Sequence, residues 1–485
     1  MSELDAVVIG SGPNGLAAAL TLARASLSVL VVEAGETIGG ACRTAASGEY
    51  LHDVCASVHA MVRVSPAFRA LGIAGEVTWA EPDLVLAHPF DDGRAAGLER
   101  SVEATAERFG GDARRYLRLM RPLTEHAAPL LVDALRGLHV PEHPLLMARL
   151  GIRGILSVHA LRRLFRGDEA PALLAGSAAH ATAPFGQPLS AALGIMLGVA
   201  AHAGGWPFAR GGSQRIVDAL AAKLRERGGE IRTGWRVASL RELPPARAYL
   251  FDTTPRQLLA IAGEHLSWLY RTRIARFRYG AGVYKIDYEL DGPVPWRNAD
   301  CGRAGTVHVG GSFGEMAESE DLVRRGRIAE RPFVLAAQPS VIDATRAPAG
   351  RHVFWAYCHV PHGSDADMRP RIEAQIERFA PGFRELVSAA HVRTPADLER
   401  ENPNLIGGHI AGGTTDATQL FTRPIIRLDP YSTPDPRIFL CSSSTPPGGG
   451  VHGMCGYWAA RSALRRVFGK RVDETTPLPE SPLDA

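Results

Sequence analysis

Apolar runs set the first elements of the chain. Asp5–Ile9 (DAVVI) is a short continuous apolar segment of the kind carried by buried parallel strands. Gly10-Ser11-Gly12-Pro13-Asn14-Gly15 follows, then a helix-forming run, LAAALTLARA, that closes near Ser26. Ser28–Val32 (SVLVV) predicts a second strand and delivers Glu33 at its end. Farther along, Ile216, Val217, Leu220 and Leu224 form one stripe at helical spacing; Ser213 is placed to cap that helix and Gly228-Gly229 to stop it. Extended segments are predicted around 230–233, 236–240 and 249–252. Tyr284–Leu290 (YKIDYEL) alternates with period two, which puts Lys285 and Asp287 on one face of a strand. A strand from Ile438, a glycine-rich turn over 448–453 and a helix over 457–467 close the pattern.

The first of these units carries chemistry. Strand, GxGxxG, helix, strand and acid, in that order, form the dinucleotide-binding fingerprint in its required context. The glycines allow a tight turn, close backbone approach to a pyrophosphate and close helix–strand packing, and the free N–H groups of the helix start, next to Pro13 and from Asn14 on, face the phosphates. Glu33, followed by Ala34, is placed to accept hydrogen bonds from ribose hydroxyls and to repel a 2′-phosphate. The alternative is a glycine-rich turn with no ligand.

Composition narrows the class without naming it. At 485 residues the chain is too long for one compact core, so two domains are expected. The 54 basic and 51 acidic residues nearly cancel, which argues against a nucleic-acid partner. Only Lys223, Lys285 and Lys470 are lysines, so a lysine inside the fold draws notice. The six cysteines form no C-x-x-C pair and no zinc spacing; they read as reduced thiols of a cytoplasmic protein with no metal. The first strand begins too early to leave room for a signal peptide. The most apolar stretch, Leu189–Ala201, is too short to span a bilayer, although the basic amphipathic stretch Leu145–Arg166 allows peripheral membrane contact.

Further segments carry a family resemblance. Gly39-Gly40-Ala41-Cys42-Arg43-Thr44 continues the phosphate-side loop as in flavoproteins of the glutathione-reductase superfamily. Ser47 stands where a disulfide reductase would need a second cysteine, and no second fingerprint follows for a nicotinamide cofactor. Trp206–Leu240 with Thr254-Pro255, the segment Ile438–Gly453, and Asn402–Gly408 with Gln419 and Arg423-Pro424 resemble the phytoene-desaturase-like and amine-oxidase-like FAD-dependent oxidoreductases. They are similar in particular to the carotenoid-ketolase-like and pyridine nucleotide-disulfide oxidoreductase domain branch. The chain departs from many relatives at Ala41, where Arg is common, at Ser442 and Ser444, where Gly is common, and at His409, where Asp is common.

The resemblance implies FAD as cofactor and an α/β fold: a Rossmann-like, glutathione-reductase-type FAD-binding domain interleaved with an α+β substrate domain. The first gathers 1–70, 205–265 and 425–470, the second 71–204 and 266–424, and 471–485 reads as a flexible tail. It implies that Val237 touches adenine through its backbone, and that Gly449, Gly450, Val451 and His452 open a helix aimed at the flavin. It also likens Lys285 to an amine-oxidase lysine that holds a water at flavin N5; the alternative is a solvent-facing salt bridge to Asp287. His59 and His452, with His52, Asp53 and His202, are candidate acids or bases, or hydrogen-bonded packing residues. The expected activity is hydride removal from a small lipophilic substrate, isoprenoid or polyene, with oxygen or a quinone as electron acceptor. An amine oxidase and a flavin-bound scaffold are the alternatives.

Overall fold

The computed structural model describes residues 3–474 and 476–479. Its first sheet has five parallel strands in the order Ile438–Leu440, Ala246–Phe251, Leu4–Ile9, Val29–Val32, Glu230–Arg232. The helices Pro13–Arg24, Gln214–Glu226 and Met454–Val467 cover one face, while Pro255–Ala262 and Trp268–Ile274 cover the other. Burial on both sides explains why the central strands are continuously apolar rather than alternating. Two of the covering helices cross in close contact. A Cβ at Gly456 would lie 1.8 Å from the Asn14 carbonyl oxygen, and one at Gly15 would lie 2.3 Å from that of Gly10.

The second sheet has seven strands in the order Val387–Arg393, Gly282–Leu290, His352–Val360, Val334–Ala337, Ala304–Val309, Leu84–Pro89, Ala95–Leu98. It is mixed rather than purely antiparallel, because Ala304–Val309 runs parallel to Leu84–Pro89. Its two faces differ in chemistry. Tyr284, Ile286, Tyr288, Phe354, Ala356 and Val307 pack with Ile372, Ile376 and Phe379 of the helix Arg369–Phe379 in an apolar core. The opposite face carries His88, His308, Tyr357, Lys285 and Arg393 in one register row, with Trp355, Asp287 and His391 in the next. That polar face is not open to solvent. All nine residues of Gly282–Leu290 are buried, so the expectation of a solvent-facing Lys285 is corrected although its pairing with Asp287 is present.

Part of the cover is a helical cap. Glu169–Ala179 and Ser190–Gly204 pack on each other and are buried almost all round, which accounts for the apolar stretch near 189–201. The basic stretch over 145–166 forms the helices Pro144–Gly154 and Val158–Arg162, and Leu145, Ile152 and Ile155 stand exposed beside Arg149 and Arg153. Among the described residues no helix is long and apolar enough to cross a membrane.

A hairpin, Thr44–Ser47 with Tyr50–Asp53, leads from the first sheet to the second. Asp53 is its anchor. Its carboxylate pairs with Arg346 at 2.9 Å and accepts the hydroxyls of Thr44 and Ser57, each at 2.7 Å, and the Ser213 N–H at 2.9 Å. Arg346 also reaches Asp343 at 3.2 Å, and Asp343 accepts the Gly211 N–H. Burial alone would raise Asp53, but Arg346 and these donors hold it below the usual carboxylate range.

Three local expectations change. No strand forms over 236–240; Val237 sits in an irregular segment before a short 3₁₀ turn at Leu240–Glu242. Ser213 does not cap its helix, because its hydroxyl donates to the Ala56 carbonyl and is engaged by His59. The tail is docked in its first part: Val472 is buried, Arg461 pairs with Asp473, and Tyr457 donates to the Thr476 carbonyl. Residue 475 and residues 480–485 of the expected tail lie outside the described residues.

Removing Arg346 leaves two buried carboxylates without their cation. Arg346→Met is expected to cost about 3–5 kcal/mol of stability. Urea unfolding followed by circular dichroism measures it, and a loss below about 1 kcal/mol would show that the network contributes little.

Candidate cofactor cleft and active site

A long cleft opens where the C-terminal ends of the parallel strands meet the second sheet's loops. Gly10, Gly12, Pro13, Asn14, Glu33, Ala34, Gly40, Ala41, Arg43 and Val237 all line it. Gly15 lies just beneath, its N–H donated to Asp252. The strand-to-helix turn cannot carry larger residues: a Cβ on Gly12 would fall 2.5 Å from the Asp252 carboxylate. Glu33 is pre-set at the end of its strand. One carboxylate oxygen accepts the Ser11 N–H at 2.9 Å and its hydroxyl at 2.6 Å, and the other accepts the Gly35 N–H at 2.8 Å. Arg43 is braced by a 2.8 Å bond from Nε to the Gly40 carbonyl. Asn14 Oδ1 is buried in the wall of the cleft without a partner. A glycine cradle at a helix start, an oriented carboxylate and an unsatisfied amide oxygen fit a dinucleotide.

The second domain closes the cleft through Asn402–Leu405. Asn404 accepts the Thr254 N–H at 2.8 Å, satisfying a donor at the start of the helix Pro255–Ala262, and Gln257 donates to the Pro403 carbonyl. Ser442, Ser443 and Ser444 form the remaining wall. Ser442 donates to the Thr253 carbonyl and Ser444 to the Gly412 carbonyl, so these serines stitch loops together where glycine would leave them open. His409 is also a packing residue; its Nδ1 lies 2.9 Å from the Ala281 carbonyl and it is fully buried.

The remaining sequence candidates lie elsewhere. Gly449, Gly450, Val451 and His452 form the turn into the helix Met454–Val467 and do not line the cleft. His452 Nδ1 accepts the Met454 N–H at 3.1 Å, and burial lowers its pKa to about 4. His59 is buried with Nε2 2.9 Å from Ser213 Oγ. The Ser213 proton is committed to the Ala56 carbonyl, so His59 Nε2 donates and its Nδ1 is a bare, unpartnered acceptor. Lys285 is 2% exposed, paired with Asp287, and 5.7 Å from the Trp355 ring centroid. Asp287 also takes a 2.8 Å bond from Arg393. Burial pulls the Lys285 pKa down, and Asp287 pulls it back up in part.

The structure adds groups that the sequence reading passed over. His180 and His308 meet Nε2 to Nε2 at 3.2 Å beneath the cap, beside Trp206. Burial depresses both, His180 to about 3, so one neutral ring donates to the other. His359 pairs with Glu320 at 2.9 Å; His202, a candidate from the sequence, has its Nε2 2.7 Å from the Tyr116 hydroxyl. The alternation in HVFWAYCHV and AGTVHV held the signal for His308, Tyr357 and His359 sharing one face.

Asp252 was also missed. It follows the strand Ala246–Phe251 and turns its carboxylate under the glycine turn, 2.9 Å from the Gly15 nitrogen. Burial raises its pKa to about 7 and the charge of Glu33 adds to this, while the Gly15 and Gly12 N–H groups oppose it. In the unfolded chain the group titrates near 3.8, so its stabilising share is fully present below that pH and is lost as pH rises through about 7. A pyrophosphate at the same turn favours the protonated form. Cofactor affinity is therefore expected to fall with rising pH, by at most about tenfold per unit between roughly pH 6 and 8. Asp252→Asn should flatten that slope in a flavin-fluorescence titration; a wild-type affinity constant over this range would refute the coupling.

Comparison with known proteins agrees with this arrangement. A family model described as flavin containing amine oxidoreductase matches residues 14–455. The Mus musculus pyridine nucleotide-disulfide oxidoreductase domain-containing protein 2 is 25% identical over 96% of this chain and 94% of its own. The neurosporene-forming phytoene desaturase of Rhodobacter capsulatus is 25% identical over 93% of this chain and 92% of its own. Among solved structures, wild-type putrescine oxidase bound to putrescine superposes with a TM-score of 0.60 at 16% identity, covering 97% of this chain and 100% of the other.

Proposed function

The chain belongs to the flavin containing amine oxidoreductase family and is an FAD-dependent oxidoreductase, and we propose that it dehydrogenates an apolar substrate of isoprenoid or polyene type. The observation that carries this reading is the neutrality of the groups beneath the cap. Burial pushes the pKa values of His180, His202 and His308 well below the ordinary histidine value, and that of His88 likewise to about 4. The carboxylate of that region, Glu320, is already engaged by His359. A cationic amine entering there would lose its hydration without gaining a free counter-ion, whereas a hydrocarbon would lose nothing. The full-length likeness to a phytoene desaturase supports the same substrate class.

An amine oxidase is the second reading, and the aromatic residues on this face speak against it. Trp355 and Tyr357 have ring centroids 5.0 Å apart at 85°, so they touch edge to face and leave no slot between them for an alkylammonium group.

FAD, when bound, supplies the hydride acceptor. The chain's share is to hold and orient it. Glu33 and Val237 line the end of the cleft that receives the nucleoside, and the turn at Gly10–Gly15 receives the phosphates. We assign Lys285 to the reacting end of the cofactor, where a buried amine with a lowered pKa would hold a water and offset negative charge gathered on reduction.

Two measurements test these assignments. Anaerobic mixing of the purified flavoprotein with detergent-dispersed polyenes is expected to bleach its visible flavin spectrum, and primary amines are expected to leave it unchanged. The reverse pattern would establish the amine oxidase, and a spectrum that no donor alters would leave a flavin-bound scaffold. Admitting oxygen or a quinone afterwards identifies the acceptor. Lys285→Met is expected to keep its FAD while slowing flavin reduction or reoxidation by about tenfold or more. Unchanged stopped-flow traces for both half-reactions would remove Lys285 from the mechanism.

A further inference from the structure

Two imidazoles and a carboxylate, from three different strands, converge at one point. His391 Nε2 lies 2.8 Å from Glu289 Oε1, and His52 Nε2 lies 3.4 Å from the same atom. The three donor atoms fall within 4.8 Å of one another, and the two imidazole centroids are 5.2 Å apart. Glu289 is further held by the Ser47 hydroxyl, which fixes the carboxylate. His52 is buried, Glu289 is nearly so, and the His391 side chain is 42% exposed. The cluster therefore has a firm floor and one open side.

Hydrogen bonding alone accounts for this arrangement poorly. At 3.4 Å the contact from His52 Nε2 to Glu289 Oε1 is long for an N–H···O bond. A tetrahedral ion with bonds near 2.1 Å places its donors about 3.4 Å apart. The His52–Glu289 edge already has that length, and His391, on an edge strand, would retreat by roughly 0.6 Å. The neighbouring charges on the face are already paired: Lys285 with Asp287, and Arg393 with both Asp287 and Glu401.

We propose that His52, Glu289 and His391 form a binding site for a divalent transition-metal ion of the zinc class, with its fourth position open to solvent. Two imidazoles and one carboxylate suit such an ion and disfavour magnesium and calcium, which take all-oxygen shells. The spacing rules that find zinc sites in sequence had no purchase here, because the ligands lie 237 and 102 residues apart along the chain. The site has a structural consequence. His52 belongs to the hairpin that continues the Gly39–Arg43 loop, whereas Glu289 and His391 belong to the seven-stranded sheet. An ion held by all three ties the cofactor loop to the second domain, next to the Asp53 anchor but on the other face of the hairpin strand.

The test is calorimetric titration of the chelator-treated flavoprotein with Zn²⁺, alongside His391→Ala, His52→Ala and Glu289→Gln. The wild type is expected to take up one equivalent and to rise in thermal midpoint, and each variant to bind about 100-fold more weakly or worse with no such rise. Mg²⁺ is expected to give no saturable heat. His391→Ala, at a half-exposed edge position, remains informative if Glu289→Gln does not fold. Absence of saturable Zn²⁺ binding by the wild type, equal affinity in the His391→Ala and His52→Ala variants, or Mg²⁺ binding as tight as Zn²⁺ would each overturn the proposal.

Discussion

A fully buried guanidinium, that of Arg346, fixes how the two halves of this protein meet. It holds Asp53 of the hairpin and Asp343 of the second domain together, and each carboxylate in turn gathers backbone and hydroxyl donors from neighbouring loops. A buried ion network adds little net stability when it is complete, but it is costly to break. Its value here is geometric. Through these bonds it ties the hairpin that follows the Gly39–Arg43 loop to the Arg210–Ser213 turn and the Asp343–Arg346 turn. The cofactor cleft inherits that placement, because the hairpin leaves the first sheet directly beside the glycine turn.

Much of the first sheet was legible in the residues because its strands are covered on both faces and its turn is constrained by contact distances. Continuous apolar runs are what buried parallel strands carry, and a Cβ added to Gly10, Gly12 or Gly15 of the fingerprint would fall within 3 Å of Asp252. The carboxylate of Glu33 followed from its position at a strand end. The loops were less legible for a physical reason. Val237 was expected on a strand and lies in an irregular segment, because the backbone there is held by the Trp235 N–H donating to the Glu33 carbonyl rather than by a ladder. Ser213 reads as a cap by residue type, yet a nearby histidine and carbonyl compete for its hydroxyl and win.

The second domain was legible only in outline. The alternation of YKIDYEL placed Lys285 with Asp287, but alternation does not say what covers the polar side. Here the hairpin and the helical cap cover it, so a row that reads as solvated is buried. The histidines of that face were invisible as a group, since they lie on strands separated by dozens of residues. Asp252 was invisible for a different reason: an acid after a strand reads as a turn residue until the glycine turn is seen to pack on its carboxylate.

The polar face of the seven-stranded sheet divides by charge state, and that division bears on function. At one end Lys285 and Arg393 are both paired with Asp287, and Glu289 with His52 and His391. At the other, His308, His180 and His88 are held neutral against the apolar cap. Tyr357 and Trp355 stand between. A redox site that draws hydride from a hydrocarbon needs both environments close together: a region where charge can change at small cost, because compensating ions are already fixed, and a region that neither hydrates nor charges the substrate. Mixing the two would defeat each, since a free ion beneath the cap would draw in water and an apolar wall around Lys285 would strip it of its partner. The strand order enforces the separation, because one register row runs from His308 on one side of Tyr357 to Lys285 and Arg393 on the other, and the intervening strands hold the two chemistries apart.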